Sequence, residues 1–566
     1  MGKKKQKRIQ QKIQQKITSP VDLKIERFKR QKINFLTPKN VKNEKFILTF
    51  FGIYGLLFIV VAVYLGLSLW QINAPFVHVS EDTNGTNGIG AANLARLGFF
   101  KLKFGLYNRW VSDISNKDLT GKFYAHHPIG FLLPTAIFYK LFGINEITTR
   151  LGPLFLSLLA FILFYFAIYK IFKDSRAAFL CSLVFAVLPG AVYYGKHLDM
   201  SPPSLAFILI SFSLFIFHYF EKKRLYFYLF LLSIFLGGLT AWHYFFMPFG
   251  IWLFILFTKI GKLTPERKKY LWFLPILILF AFFINILHIY IVNGLDGVKS
   301  WEASFFYRSA RQQFIPWLLT IFQRMQLNFT LLFIITSIIG LVFLLFKLKT
   351  EKNLMLFLPI LLLPLFISAI FMQWSTHPFG PIYFIPLISI STGLLLYYIV
   401  KSFDIGGWFI VFVIFAFGLT LSIKNLNFFY DKFLILGKND PQLLKDFRSQ
   451  VKDNELCQGR NNFGIDLNGI SNWYLQKEML ESPDCFATTT IAIKKNITDE
   501  ISTQPTDKNF EGEPPKSSTL KYGLVFVENF DEIYKTDFYK KEIMLFQQNG
   551  FKSLIKCADS WCLISK

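Results

Sequence analysis

The 566-residue chain is 53% hydrophobic and 18% aromatic, and it carries a formal charge of +26 at pH 7. Apolar runs close to twenty residues long recur along it, which excludes a large soluble protein and makes lipid its main solvent. The positive excess lies in the loops between those runs, where a membrane protein collects Lys and Arg on its cytosolic side, so no nucleic-acid partner is implied.

Residues 1–45 open with "MGKKKQKRIQQKIQQK" and hold no apolar stretch. They read as a cytosolic basic tail that orients the chain and is drawn to anionic lipid, not as a cleaved signal peptide. Apolar runs then follow near 46–70, 150–171, 177–194, 203–220, 225–241, 244–260, 270–292, 329–346, 354–372, 379–400 and 407–423. The expected fold is therefore an α-helical multi-span membrane protein of about eleven spans over 46–424. A further run at 128–142 is fifteen residues long, rising only about 22 Å as a helix against a hydrocarbon core of about 30 Å.

Charge decides how that short run is read. If it does not cross, Lys173/Arg176, Lys222/Lys223/Arg224, Lys262/Arg267/Lys268/Lys269, Lys347/Lys349/Lys352 and Lys401 all share the side of the N-terminal tail. Counting it as a span puts every one of them outside. With Pro128 and Pro134 breaking it, 128–142 is expected as an interfacial or re-entrant helix. The outer set is then 71–149, 195–202, 242–243, 293–328, 373–378 and everything from 425. Six of the eight His fall in it: His78, His126, His127, His197, His243 and His377. Basic residues on that face run against the topological rule, and Lys196, Arg308 and Arg311 invite a local reason such as a phosphate ligand. Arg308 and Arg311 are three apart and on a helix would share a face.

From 425 to 566 the composition turns polar, and "YGLVFVENF" reads as a strand before a helix at "FYKKEIMLFQQNGF". A small extracytoplasmic α/β domain is expected there. It holds Cys457, Cys485, Cys557 and Cys562, an even number that in an oxidising compartment forms two disulfides of undetermined connectivity, or else stays reduced and buried. Cys557 and Cys562 are close enough in sequence to close a tight hairpin. No Walker-type loop or dinucleotide fingerprint is present, since "NGTNGIG" lacks the strand it needs, which disfavours a nucleotide-sugar donor.

The order of the outer pieces carries a resemblance. A first span, a long loop with the carboxylate pair of "SED", then "AANLARLGF", "YAHHP", "FYKLFGINEITTRLGPLF", "AVYYGKHLDMSP" and "HPFGPIYFIPL" together resemble the C-type glycosyltransferases of the dolichyl-phosphate-mannose mannosyltransferase family (family 39), which includes the bacterial aminoarabinose transferases. The likeness runs over roughly residues 46–400. It implies transfer of a sugar from a polyprenyl-phosphate donor to a glycan, lipid or protein acceptor on the outer side of the plasma membrane, inverting the anomeric carbon. A transporter or flippase of lipid-linked sugars is the alternative.

By that resemblance Asp82 is the general base, with Glu81 its neighbour and Asp199 a second outer carboxylate that orients sugar or acceptor. The family has Asp before Glu, and here the order is reversed. Arg308, Arg311, Lys196 and His377 are the expected contacts of the donor phosphate. His126, His127 and His243 are assigned to the substrate or to a divalent metal, and no other cofactor is assigned. In the family His-Pro-Pro often stands where this chain has His127-Pro128-Ile129.

Overall fold

The computed structural model describes residues 51–112, 123–432, 440–448, 456–458, 473–476, 522–526, 553–557 and 561–565. The chain divides into two compact units, Met1–Ile59 and Val60–Lys566. The described part of the first is the π-helical turn Phe51–Gly55 and the start of α1 (Leu56–Leu69). The basic tail 1–45 lies outside the described residues.

The second unit continues with α2 (Asp82–Leu97), α3 (Leu133–Phe142), α4 (Glu146–Phe172), α5 (Ser175–Val187), α6 (Pro189–Tyr194), α7 (Ser201–Glu221), α8 (Arg224–Gly238) and α9 (Phe246–Phe257). Then come α10 (Arg267–Arg308), α11 (Phe314–Lys347), α12 (Leu358–Ile370), α13 (Ile385–Asn427) and α14 (Asp440–Arg448). Among the described residues seven helices are long and apolar enough to cross a membrane, making this a multi-pass membrane protein. The difference from eleven apolar runs has a simple origin. The runs at 379–400 and 407–423 are two helical stretches on either side of a kink at Asp404 and count together as one, the run at 177–194 is divided between α5 and α6, and those at 225–241 and 244–260 form the shorter apolar helices Arg224–Gly238 and Trp242–Phe257. A thirteen-residue helix such as α5 rises about 20 Å, well short of a hydrocarbon core of about 30 Å.

Local chemistry sets the helix ends. Asn145 caps α4 through a reciprocal box with Thr148, Asp174 accepts the Arg176 amide at 2.9 Å to start α5, and Pro202 and Pro203 occupy the first turn of α7, where a missing N–H costs nothing. The central helices α4, α5, α7, α11 and α13 pack closely because small residues meet backbone. A Cβ on Gly393 of α13 would lie 2.4 Å from the Cα of Cys181 on α5, so only glycine fits that crossing. Hydroxyl pairs bind α11 to α13, Ser337 Oγ to Ser391 Oγ at 2.6 Å and Thr336 Oγ1 to Thr392 Oγ1 at 3.2 Å.

Two of the long helices break where they reach the polar end of the bundle. α10 bends at Gly294, whose φ of +65° suits glycine, and α11 bends at Thr330. The break in α11 strands carbonyls that no later turn can use. Asn425 of α13 donates to two of them, Gln326 at 2.8 Å and Leu327 at 2.9 Å, while the Asn328 amide bonds the Arg324 and Pro378 carbonyls at 2.8 and 2.9 Å.

The loops sort to two ends. At one, Lys170 pairs with Glu221 at 2.6 Å, Arg224 with Glu266 at 3.9 Å, Tyr397 with Asp174 at 3.2 Å and Tyr398 with Glu351, bringing together segments rich in Lys and Arg. At the other meet the segments that hold the candidate chemistry. In the tail, four strands, β1 (Leu456–Gln458), β2 (Tyr522–Phe526), β3 (Ser553–Cys557) and β4 (Trp561–Ser565), form a sheet of order β1-β2-β4-β3, with β1 parallel to β2 and the other pairs antiparallel. Cys557 and Cys562 are register partners across the β3–β4 hairpin. Cys485 and the helix expected at 538–551 lie outside the described residues.

Candidate functional site

The first-loop carboxylates part company at the start of α2. Glu81, immediately before the helix, is 1% exposed and turns inward, its Oε1 2.5 Å from Arg150 Nη2. Arg150, itself fully buried, also donates to the carbonyls of Ile72 at 2.8 Å and Ala74 at 2.5 Å, so one guanidinium ties down the loop after α1. Glu81 Oε2 accepts the His78 amide at 3.2 Å. Asp82, the first residue of α2, is only partly buried. Glu81 thus serves architecture, and Asp82 is the carboxylate left at the accessible face.

α2 is tied to the loop before α7 through both backbone groups of Leu198: its N–H donates to Asn84 Oδ1 at 2.7 Å and its carbonyl accepts from Asn87 Nδ2 at 2.8 Å. Asp199 follows directly and accepts the Ser201 amide at 3.2 Å and hydroxyl at 2.8 Å. Burial raises the Asp199 carboxyl; those Ser201 bonds, a Met200 amide and the charge of Arg308 oppose the rise. Tyr193 of α6 donates its hydroxyl to Val79 at 2.9 Å, fixing the approach to Asp82 from a third element.

Arg308 ends α10 at the centre of a second group. Its Nη2 reaches Tyr124 OH at 3.4 Å, and its charge acts on His126, His127, Asp199, His243 and His377 together. His126 Nε2 bonds Ser300 Oγ of the same helix at 3.0 Å, and its carbonyl accepts from Trp242 Nε1 at 2.9 Å. His243 lies in an aromatic box, its ring centroid 4.0 Å from Trp374, 4.8 Å from Phe371 and 5.7 Å from Tyr383. His377 stacks on Phe379 at 5.3 Å. Burial first, and Arg308 second, push His126 down to about 4 and His243 to about 3, and hold His127 and His377 below the ordinary imidazole value. At neutral pH these imidazoles are uncharged.

That shift predicts an acid-labile fold. The unfolded histidines titrate near 6.5, so between 6.5 and the depressed folded values the unfolded chain binds more protons, and stability falls as pH falls. The melting temperature is expected to decline from pH 6.5 towards pH 4. His243→Phe, which suits the aromatic box, should flatten the decline; melts of both proteins across that range check it.

Of the remaining expected contacts, two lie elsewhere. Lys196 is buried and its ammonium donates to the carbonyls of Ser68 at 2.9 Å and Trp70 at 2.6 Å, closing the end of α1 instead of joining Arg308. Arg311 is exposed beyond the end of α10, so it does not share a helical face with Arg308. Among the described residues no three His, Cys, Asp or Glu side chains form a metal-binding group. Of the asparagines that open an Asn-x-Thr glycosylation triplet on the expected outer side, Asn84 and Asn328 are buried inside the fold and Asn496 lies outside the described residues.

Several residues at the site carried no sequence signal. Tyr124 touches Arg308, and Arg324 of α11, whose Nε donates to the Thr376 carbonyl at 3.3 Å, acts electrostatically on both His377 and Tyr194. Asp82 also acts electrostatically on Tyr194. Arg150 did have a signal, a charge at the edge of an apolar span, which membrane helices keep only when it is paired.

The fold is similar to those of ArnT and of archaeal oligosaccharyltransferases. ArnT from Cupriavidus metallidurans, in its crystal structure bound to undecaprenyl phosphate, superposes with a TM-score of 0.53 at 12% identity, over 90% of this chain and 98% of that one. The Archaeoglobus fulgidus oligosaccharyltransferase, in complex with Zn and sulfate, gives 0.53 at 11% identity over 86% of this chain and 69% of that one. The archaeal oligosaccharyltransferase AglB from the same organism, in complex with an inhibitory peptide and a dolichol-phosphate, gives 0.50 at 11% identity, over 86% and 71%. More narrowly, residues 126–286 match the family model of dolichyl-phosphate-mannose-protein mannosyltransferases, and the chain is similar to the aminoarabinose transferases. No curated protein matches the chain in sequence.

Proposed function

We propose that this chain is a membrane glycosyltransferase that moves a sugar from a polyprenyl-phosphate donor to an acceptor on the outer side of the membrane, with inversion at the anomeric carbon. The observation that carries the reading is the attachment of the Asp82 helix to the Asp199 loop through Leu198, with the charge of Arg308 acting on Asp199. The similar proteins solved in complex with undecaprenyl phosphate or a dolichol-phosphate support the class of donor.

In this mechanism the acceptor hydroxyl attacks the anomeric carbon on the face opposite the phosphate. Its proton passes to the Asp82 carboxylate as the new C–O bond forms. The bond from that carbon to the phosphate oxygen breaks, and the electron pair leaves with the polyprenyl phosphate. Arg308 neutralises the charge that gathers there, and its planar fork matches phosphate geometry. The neutral imidazoles of His126, His127 and His377 add hydrogen bonds without extra charge. Asp199, held by Ser201, orients the sugar or the acceptor. The basic tail 1–45 lies in the cytosol, the membrane domain spans 46–424, and 425–566 stands outside.

Purified protein in nanodiscs, given a panel of radiolabelled polyprenyl-phosphate sugars and candidate glycan, lipid and protein acceptors, should release polyprenyl phosphate and label an acceptor. Movement of intact donor across vesicles with no covalent turnover would instead identify a flippase. In the same assay Arg308→Ala should lower kcat by about 10²–10³, the usual cost of one transition-state donor, with Arg308→Lys retaining part of the rate.

A further inference from the structure

The sequence of α2, "DTNGTNGIGAANLARL", is a poor helix former, with three glycines and three asparagines in sixteen residues. Propensity does not hold this helix in place, so its position comes from what packs on it. One support comes from far along the chain. Trp473 is buried against the second turn, so close that a Cβ on Gly88 would lie 2.9 Å from its Nε1 and 3.0 Å from its Cδ1. Its ring centroid is 4.7 Å from that of Phe76, and its Nε1 reaches Tyr139 OH at 3.4 Å. The neighbouring Tyr474 hydroxyl accepts the Phe76 amide at 2.8 Å. Phe76 in turn carries the Arg150 guanidinium 4.8 Å from its ring centre, and Arg150 holds Glu81, the residue before Asp82. Lys445 of α14 pairs with Glu146 at 2.7 Å and lies over the Tyr474 ring at 5.2 Å, fastening the same stretch of tail to α4.

We infer that Trp473 and Tyr474 are positioning residues for sugar transfer: the tail braces α2 and the segment 76–81 from behind and so sets where the Asp82 carboxylate stands. This rests on the reading of Asp82 as the base. Neither aromatic touches the reacting atoms, and the donor-phosphate contacts around Arg308 stand on other elements. Loss of the brace should therefore slow the chemical step while leaving donor binding intact.

The test uses the full chain in nanodiscs with Trp473→Ala, Trp473→Phe and Tyr474→Phe, measuring kcat and donor KM together with hydrogen exchange of peptides covering 76–97. Trp473→Ala is expected to lower kcat at least tenfold with donor KM within twofold of the parent, and to speed exchange in 76–97 but not in α7 or α13. Trp473→Phe, which keeps the ring contact to Phe76, should recover most of the rate. Tyr474→Phe should speed exchange at residue 76 with a smaller loss of kcat. A kcat within twofold of the parent for Trp473→Ala, or unchanged exchange in 76–97, overturns the inference. Should that variant fail to fold, Tyr474→Phe decides on the exchange criterion. If Asp82→Asn is inactive while Trp473→Ala is active, only the brace is wrong; if Asp82→Asn keeps full turnover, the base assignment falls whatever the exchange shows.

Discussion

Asp82→Asn is expected to remove sugar transfer, lowering kcat by about 10²–10⁴, the range that one positioned acid or base contributes. The amide matches the carboxylate in shape but cannot take the acceptor proton. Donor KM and melting temperature should stay near those of the parent, because Asp82 is partly exposed and the buried ion pair beside it belongs to Glu81. The comparison with Glu81→Gln is informative: that substitution weakens the Arg150 pair, so its effect should appear in stability before activity. Steady-state turnover and melts of the two variants separate the roles. A rate for Asp82→Asn within tenfold of the parent would remove Asp82 from the chemistry.

Arg150→Met carries the largest expected effect on stability. Three contacts of its guanidinium disappear at once, the Glu81 carboxylate and the carbonyls of Ile72 and Ala74, and a carboxylate only 1% exposed is left without its cation. Breaking a buried pair by deleting one partner costs about 3–5 kcal/mol, most of it from the charge left behind. The double variant Glu81→Gln/Arg150→Met should regain a good part of the loss because no uncompensated charge remains. Unfolding midpoints of the two proteins in the same detergent check the order, and a double variant no more stable than the single would contradict it.

Much of this fold is legible in the sequence because lipid imposes a simple rule: apolar runs become helices. Every run between 46 and 423 has a helix beneath it, and the resemblance to C-type glycosyltransferases meets its counterpart in the superposition with ArnT. Helix ends were harder to read, since hydropathy does not see the kink at Asp404 or the interruption at Leu188 between α5 and α6. Within the site, type and order of residues pointed to Asp82, Asp199, the histidines and Arg308. They did not tell Glu81 from Asp82, because adjacent residues at a helix start point in different directions and only packing against Arg150 decides which is buried. Lys196 was misleading for a related reason: a basic residue in an outer loop resembles a phosphate ligand until the carbonyls at the end of α1 are seen to occupy it. Trp473 and Arg324 had no local pattern to announce them, since their significance arises from contacts across hundreds or dozens of residues.

The break in α11 has a consequence for biosynthesis. The amide that seals the Gln326 and Leu327 carbonyls belongs to a residue 99 and 98 positions later in the chain. When α11 is first made, Asn425 has not yet been translated, and at the polar end of the bundle water has to satisfy those carbonyls in its place. The side-chain seal of this break is therefore a contact that only a chain extended through α13 can make.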